Sequence, residues 1–124
     1  MVEGATLGKV TVRVTNVTLF EIMQITLVAS TDDEAAKISY YPIRKMTVPA
    51  SDNFGNKYTT MLPRLYNQVH GTSVSKGQPI QDEFFLERPI NSAEYIDVDI
   101  PGDIVGESGA FRFRILATSW TAKK

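Results

Sequence analysis

The sequence predicts an all-β sandwich, on three observations. Apolar and polar residues alternate with a period of two along much of the chain, turn residues recur about every ten positions, and no stretch carries the 3.6-residue apolar period of a full-length helix.

The elements follow in order. Val10, Val12 and Val14 share one side of an extended chain while Lys9, Thr11, Arg13 and Thr15 take the other, the pattern of a half-buried strand. Met23, Ile25, Leu27 and Ala29 repeat it, but Phe20 and Ile22 stand in the opposite phase, so a bulge or strand switch is expected near Ile22 and Met23. Residues 31–37 are polar and too few for a stable isolated helix, and read as a turn. Residues 38–48 are rich in β-branched and aromatic side chains; Pro42 removes a ladder donor and demotes the stretch to an edge strand or two short ones, with 43–48 the firmer. Gly55 and Asn56 supply residues that tolerate positive φ, so 51–58 is a tight turn leading to a strand over 58–62. Residues 63–81 carry few periodic apolar positions and read as a long loop, a length usually functional or mobile.

The last third is the clearest. Strands are expected over 83–88, ending before Pro89, over 95–100, and over 110–118. Ile96, Val98 and Ile100 face one side, as do Phe111, Phe113, Ile115 and Ala117 in their own strand, and the glycine-rich connector 101–109 suits an antiparallel return. That pairing would put Asp97 and Asp99 on the same outward face as Arg112 and Arg114.

A chain of 124 residues is the size of one domain, 1–124, able to bury about two-thirds of its unfolded surface. Its 43% hydrophobic and 22% charged residues sit near the globular average. Thirteen basic against fourteen acidic residues leave a net charge of -1, without the positive field that drives phosphate binding, so nucleic acid is not an expected partner. With no cysteine there is no disulfide, thiolate metal site or cysteine nucleophile. No run approaches the roughly 18 apolar residues of a membrane span, and the amino terminus lacks a basic region followed by an apolar core.

Few residues suggest chemistry. His70 is the single histidine, in a stretch without a nucleophile motif, and reads as a solvated loop residue. Asp97 and Asp99, two apart, have the spacing of a glycosidase pair or calcium clamp, and Asp103 extends the run, but pairing with Arg112 and Arg114 is the simpler expectation. Asp32, Asp33 and Glu34 form a second acidic loop without the EF-hand pattern. Lys76-Gly77 lacks the surroundings of a phosphate loop. Tyr40, Tyr41, Tyr66 and Trp120 are the aromatics that could stack on a sugar; Tyr40 and Tyr41 must face opposite ways if extended, and Trp120 could instead cap the sandwich. Asn16-Val17-Thr18 spells a glycosylation sequon.

The motif order carries a resemblance. Val12-Arg13-Val14-Thr15-Asn16, then Asp52-Asn53-Phe54-Gly55-Asn56-Lys57-Tyr58, then Lys76-Gly77-Gln78 followed by Phe84-Phe85-Leu86-Glu87-Arg88-Pro89, and last Phe111-Arg112-Phe113-Arg114-Ile115 resemble the telokin-like, immunoglobulin-like domains of unknown function in extracytoplasmic bacterial proteins and lipoproteins. Lys76 and Gln78 stand where that family has Pro and Glu. The resemblance spans about Val10 to Ile115. It implies an immunoglobulin-like antiparallel sandwich of about seven strands, a cell-envelope or surface setting, and a binding or structural role without catalytic residues.

The expected function is a noncatalytic interaction module without cofactor, docking a protein at a sheet edge or on the 63–81 loop. A carbohydrate-binding sandwich is the second expectation, with Tyr41, Tyr66, His70 and Trp120 as candidate ligand contacts, and a calcium-binding domain or calcium-dependent hydrolase on Asp97 and Asp99 is the third.

Overall fold

The computed structural model describes residues 3–41, 48–61 and 70–122. Among them are twelve strands, β1 (Glu3–Leu7), β2 (Val10–Leu19), β3 (Ile22–Ser30), β4 (Ala35–Tyr41), β5 (Ala50–Asp52), β6 (Lys57–Tyr58), β7 (Thr60–Met61), β8 (His70–Ser75), β9 (Ile80–Glu87), β10 (Tyr95–Pro101), β11 (Ala110–Leu116) and β12 (Thr121–Ala122). They form one sheet in the order β1-β2-β3-β9-β7, a second in the order β11-β10-β5-β6, and a two-stranded ribbon, β4-β8. Neighbours are antiparallel throughout, except that β12 runs parallel to β2 beyond the end of β1. The all-β sandwich expected from the alternation is the architecture of this chain.

The alternating residues make the core. Val10, Val12, Val14 and Val17 of β2, Met23, Ile25, Leu27 and Ala29 of β3, and Phe84 and Leu86 of β9 come from the first sheet. The second contributes Ile96, Val98, Ile100, Phe111, Phe113 and Ile115, and the ribbon adds Ala36, Ile38 and Val74. Each large side chain so buried stabilises the fold by about 1.5–3 kcal/mol, which is why the period of two survives wherever a strand has one face inward.

Several local expectations are corrected. The bulge lies in β2: Val14 pairs with Leu27 and Asn16 with Thr26, leaving Thr15 as the extra residue. That insertion lets Val14 and Val17, three apart, both point inward. β3 runs unbroken from Ile22, which faces outward, and Phe20 belongs to the hairpin turn, where its amide donates to the Ile22 carbonyl at 3.0 Å. The turn after β3 is shorter than expected, because β4 already begins at Ala35. There Thr31 Oγ1 donates to the Lys9 carbonyl at 2.6 Å and accepts from the Asp33 amide at 3.1 Å, satisfying the backbone without a helical turn.

The strand expected over 58–62 is split between sheets. Tyr58 pairs in the second sheet and Thr60–Met61 in the first. The buried Thr60 hydroxyl accepts from the Val48 amide at 2.8 Å and donates to the Val48 carbonyl at 3.1 Å, pinning the crossing. The loop expected over 63–81 contains β8 and the start of β9, joined by a turn in which the Gln78 amide donates to the Ser75 carbonyl at 2.9 Å and Gly77 takes a φ of 75°. The last long strand stops at Leu116, and Ala117–Ser119 forms a 3-10 turn, so Ala117 does not continue the inward row. The strand expected over 43–48 and the role given to Pro42 fall almost wholly outside the described residues.

Candidate functional site

Among the described residues, three of the regions that gather polar side chains are candidate sites. The first is the turn between β5 and β6. Asp52 is buried, and its Oδ1 accepts from the amides of Phe54 at 2.9 Å and Asn56 at 3.0 Å, while Oδ2 accepts from the Asn56 side chain at 2.9 Å and the Tyr58 hydroxyl at 2.7 Å. The same hydroxyl accepts from the Ile90 amide at 3.2 Å, so the turn is tied to the segment after β9. Gly55 takes a φ of 87°, the left-handed conformation that the turn requires. This is a fold-stabilising device, and it accounts physically for the Asp-x-x-Gly-x-x-Tyr spacing.

Burial alone would raise the Asp52 pKa, but the hydrogen bonds, that from the Asn56 side chain foremost, outweigh it and hold the carboxyl at about 2 against an ordinary 3.8. A depressed carboxylate stabilises the fold above its unfolded pKa, and that contribution is lost as pH falls through the folded one. Asp52→Asn is therefore expected to be less stable than the parent at pH 7, with the gap closing between about pH 4 and pH 2. Urea unfolding of both proteins over that range checks it; a gap independent of pH would show that the charge of Asp52 contributes nothing.

The second region is the outer face of the β11-β10-β5-β6 sheet. The register pairs Tyr95 with Leu116, Asp97 with Arg114 and Asp99 with Arg112, and sets Ser51 beside Asp97 and Lys57 beside Ser51. Arg114 grips Asp97 with two bonds, Nε to Oδ1 at 2.8 Å and Nη2 to Oδ2 at 3.0 Å, and its guanidinium lies 4.0 Å from the centre of the Tyr95 ring. The hydrogen bond to Asp97 holds the Arg114 pKa above its ordinary value, keeping it charged. Arg112 Nε is 3.7 Å from Asp99 Oδ1, an ion pair without a hydrogen bond. Both acids thus face arginines, and a calcium ion or a general-base role would have to compete with those guanidiniums. Asp103 is exposed in the 3-10 turn Gly102–Val105. Among the described residues, no three histidines, aspartates or glutamates are grouped so as to hold a metal ion. A shallow groove of about 230 Å³ adjoins this face, lined by Pro49, Ala50, Ser51, Lys57, Tyr58, Asp97 and Asp99.

The third region is the β4-β8 ribbon. Ala36, Ile38 and Val74 turn inward, while Ala35, Lys37 and Ser73 are exposed on the other side. A broad depression of about 480 Å³ is lined by Ala35, Ala36, Lys37, Thr72 and Ser73. Among the described residues, β4 and β8 pair only with each other, so neither has a described ladder partner on its outer side, while the 3-10 turn Gly102–Val105 packs closely against β4.

Of the four candidate ligand contacts, the fold brings two together. Tyr41 and His70 are register partners at one end of the ribbon, beyond an irregularity after Ile38. Tyr66 lies outside the described residues. Trp120 follows the 3-10 turn and packs against the core, its indole Nε1 buried and without an acceptor among the described residues. The sequon sits on the β2 bulge, where Asn16 is exposed and its Nδ2 donates to Thr18 Oγ1 at 3.3 Å. The ribbon's small, polar outer residues were not legible as a surface, because Thr72, Ser73 and Ser75 look like loop in sequence; the inward spacing of Ala36 and Ile38 was the one available signal.

The chain matches no family model, no curated protein and no solved structure.

Proposed function

We propose that this chain is a noncatalytic interaction module that receives an extended segment of a protein partner on the β4-β8 ribbon. The observation that carries the reading is the ribbon's pair of outer edges, to which no described strand is joined. An edge presents a row of amides and carbonyls that an added strand can complete, and pockets on the adjoining face select its side chains. The small outer residues Ala35 and Ser73 let a strand approach closely, and the depression they line extends that contact.

The resemblance to telokin-like, immunoglobulin-like bacterial domains supports the same reading and suggests an extracytoplasmic partner on the cell envelope. The carbohydrate alternative gains less support, since Trp120 is partly buried and packs against the core.

Selection of extended peptides from a random library, followed by amide hydrogen exchange on the complex, tests the proposal. Protection is expected along β4 or β8, and Ala35→Arg or Ser73→Arg should weaken binding at least about tenfold while leaving stability within about 0.5 kcal/mol, as is usual for exposed positions. Binders that protect only other strands would sink the ribbon as the site, and a glycan-array hit in place of peptides would favour the carbohydrate alternative.

A further inference from the structure

We propose that the outer face of the β11-β10-β5-β6 sheet binds the same face of a second copy of this chain. This is independent of the ribbon, which lies in a different sheet.

β11 presents a column of Arg112 and Arg114, and β10 beside it a column of Asp97 and Asp99, level with those arginines row by row. These side chains are accessible: relative exposure is 80% for Arg112, 48% for Asp99, 56% for Arg114 and 39% for Asp97. A partner surface of one sign would be repelled by one of the two columns. The matching surface must carry the same two columns in reversed order, and the chain's own face does so when turned over.

A twofold axis lying between the two faces, parallel to the strands and above the boundary of β10 and β11, exchanges the columns and keeps each row at its height. Arg114 then lies over the other copy's Asp97, Arg112 over its Asp99, and Leu116 over its Tyr95, with every contact made twice. Leu116 is one of three large apolar residues left exposed among those described, at 40%, and this stacking covers it with an aromatic ring. Arg114, already flattened on its own Tyr95 and gripped by Asp97, is held in place before association, which lowers the entropy lost on binding. Asp99 and Arg112 form a looser ion pair, 3.7 Å apart and without a hydrogen bond, which re-aims toward the second copy more easily than the bidentate Asp97–Arg114 pair. A net charge of -1 per chain adds little general repulsion.

An interface of this kind is weak and salt-sensitive, because exposed ion pairs contribute little each and are screened within about 10 Å at 0.1 M salt. Sedimentation equilibrium from about 10 µM to 1 mM protein should show a monomer–dimer equilibrium, with Kd rising at least about tenfold between 20 and 500 mM salt. Arg112→Asp and Asp99→Arg should each be monomeric alone, since each sets like charges against one another, and an equimolar mixture of the two should dimerise again. Backbone chemical shifts of the parent chain on dilution give a second readout that needs no variant, with changes expected on β10 and β11. A monomer at every concentration in low salt would overturn the proposal. So would a dimer that both reversals leave intact, or dilution shifts confined to the ribbon or another face.

Discussion

Phe84→Ala is expected to lower the free energy of unfolding by about 3–5 kcal/mol. Phe84 is fully buried in β9, which pairs with the central strand β3 and places Phe84 level with Ile25, itself fully buried. Truncating the ring removes its transfer energy and leaves a cavity. β9 is held by ladder bonds to β3 on one side and β7 on the other, so the site cannot collapse to fill the void. Domains of this size have only about 5–15 kcal/mol in total, so the variant should sit close to its unfolding threshold. Urea denaturation checks it: the midpoint should fall sharply at an unchanged slope, whereas a loss below about 1 kcal/mol would mean that this core repacks.

Gly102→Ala is the second large effect, and its cause is backbone rather than side chain. A Cβ at Gly102 would lie 2.6 Å from the Glu107 carbonyl oxygen and 2.9 Å from that of Gly109, with a Leu7 methyl at 3.0 Å. Those carbonyls cannot simply swing aside. The Gly102 amide donates to the Gly109 carbonyl at 2.9 Å and the Glu107 amide to the Gly102 carbonyl at 3.0 Å, so the connector between β10 and β11 closes on this one position. Overpacking of this sort costs about 1–3 kcal/mol, and loss of the paired hydrogen bonds brings the expected total to about 3 kcal/mol. Gly106→Ala in the same connector is the control. It has open space around its Cβ and a φ of 73°, so only the left-handed conformation is penalised, by about 1 kcal/mol. Thermal unfolding of the two variants should therefore separate them clearly, and equal losses would show that crowding at Gly102 is relieved by movement of the connector.

Much of the fold was legible because burial on one face of a sheet imposes a period that needs no long-range information. Val10, Val12 and Val14 of β2, the Met23 to Ala29 row, the Ile96 to Ile100 row, and Phe111, Phe113 and Ile115 are inward as their alternation indicates. The pairing of Asp97 with Arg114 and of Asp99 near Arg112 was also foreseeable, since a short glycine-rich connector between two alternating strands leaves little choice of register. The bulge was misplaced because a phase change is visible in sequence but its owner is not: Phe20 and Ile22 stand out of phase with Met23, and only pairing with β3 shows that Thr15 is the inserted residue. β8 was missed because His-Gly-Thr-Ser-Val-Ser has a single large apolar residue, Val74, and becomes a strand through its ladder to β4 rather than by propensity.

By itself, then, the sequence determined the class of this protein, the inward residues of its long strands, and the Asp52 turn, all of which follow from local alternation and from residues that hydrogen-bond within a few positions. Only the tertiary structure decided that the chain changes sheets between Tyr58 and Thr60, and that β4 and β8 pair with each other as a two-stranded ribbon. Those features depend on which strands meet across large separations in the chain, where backbone hydrogen bonding is indifferent to side-chain identity and the choice is made by the packing of the whole core.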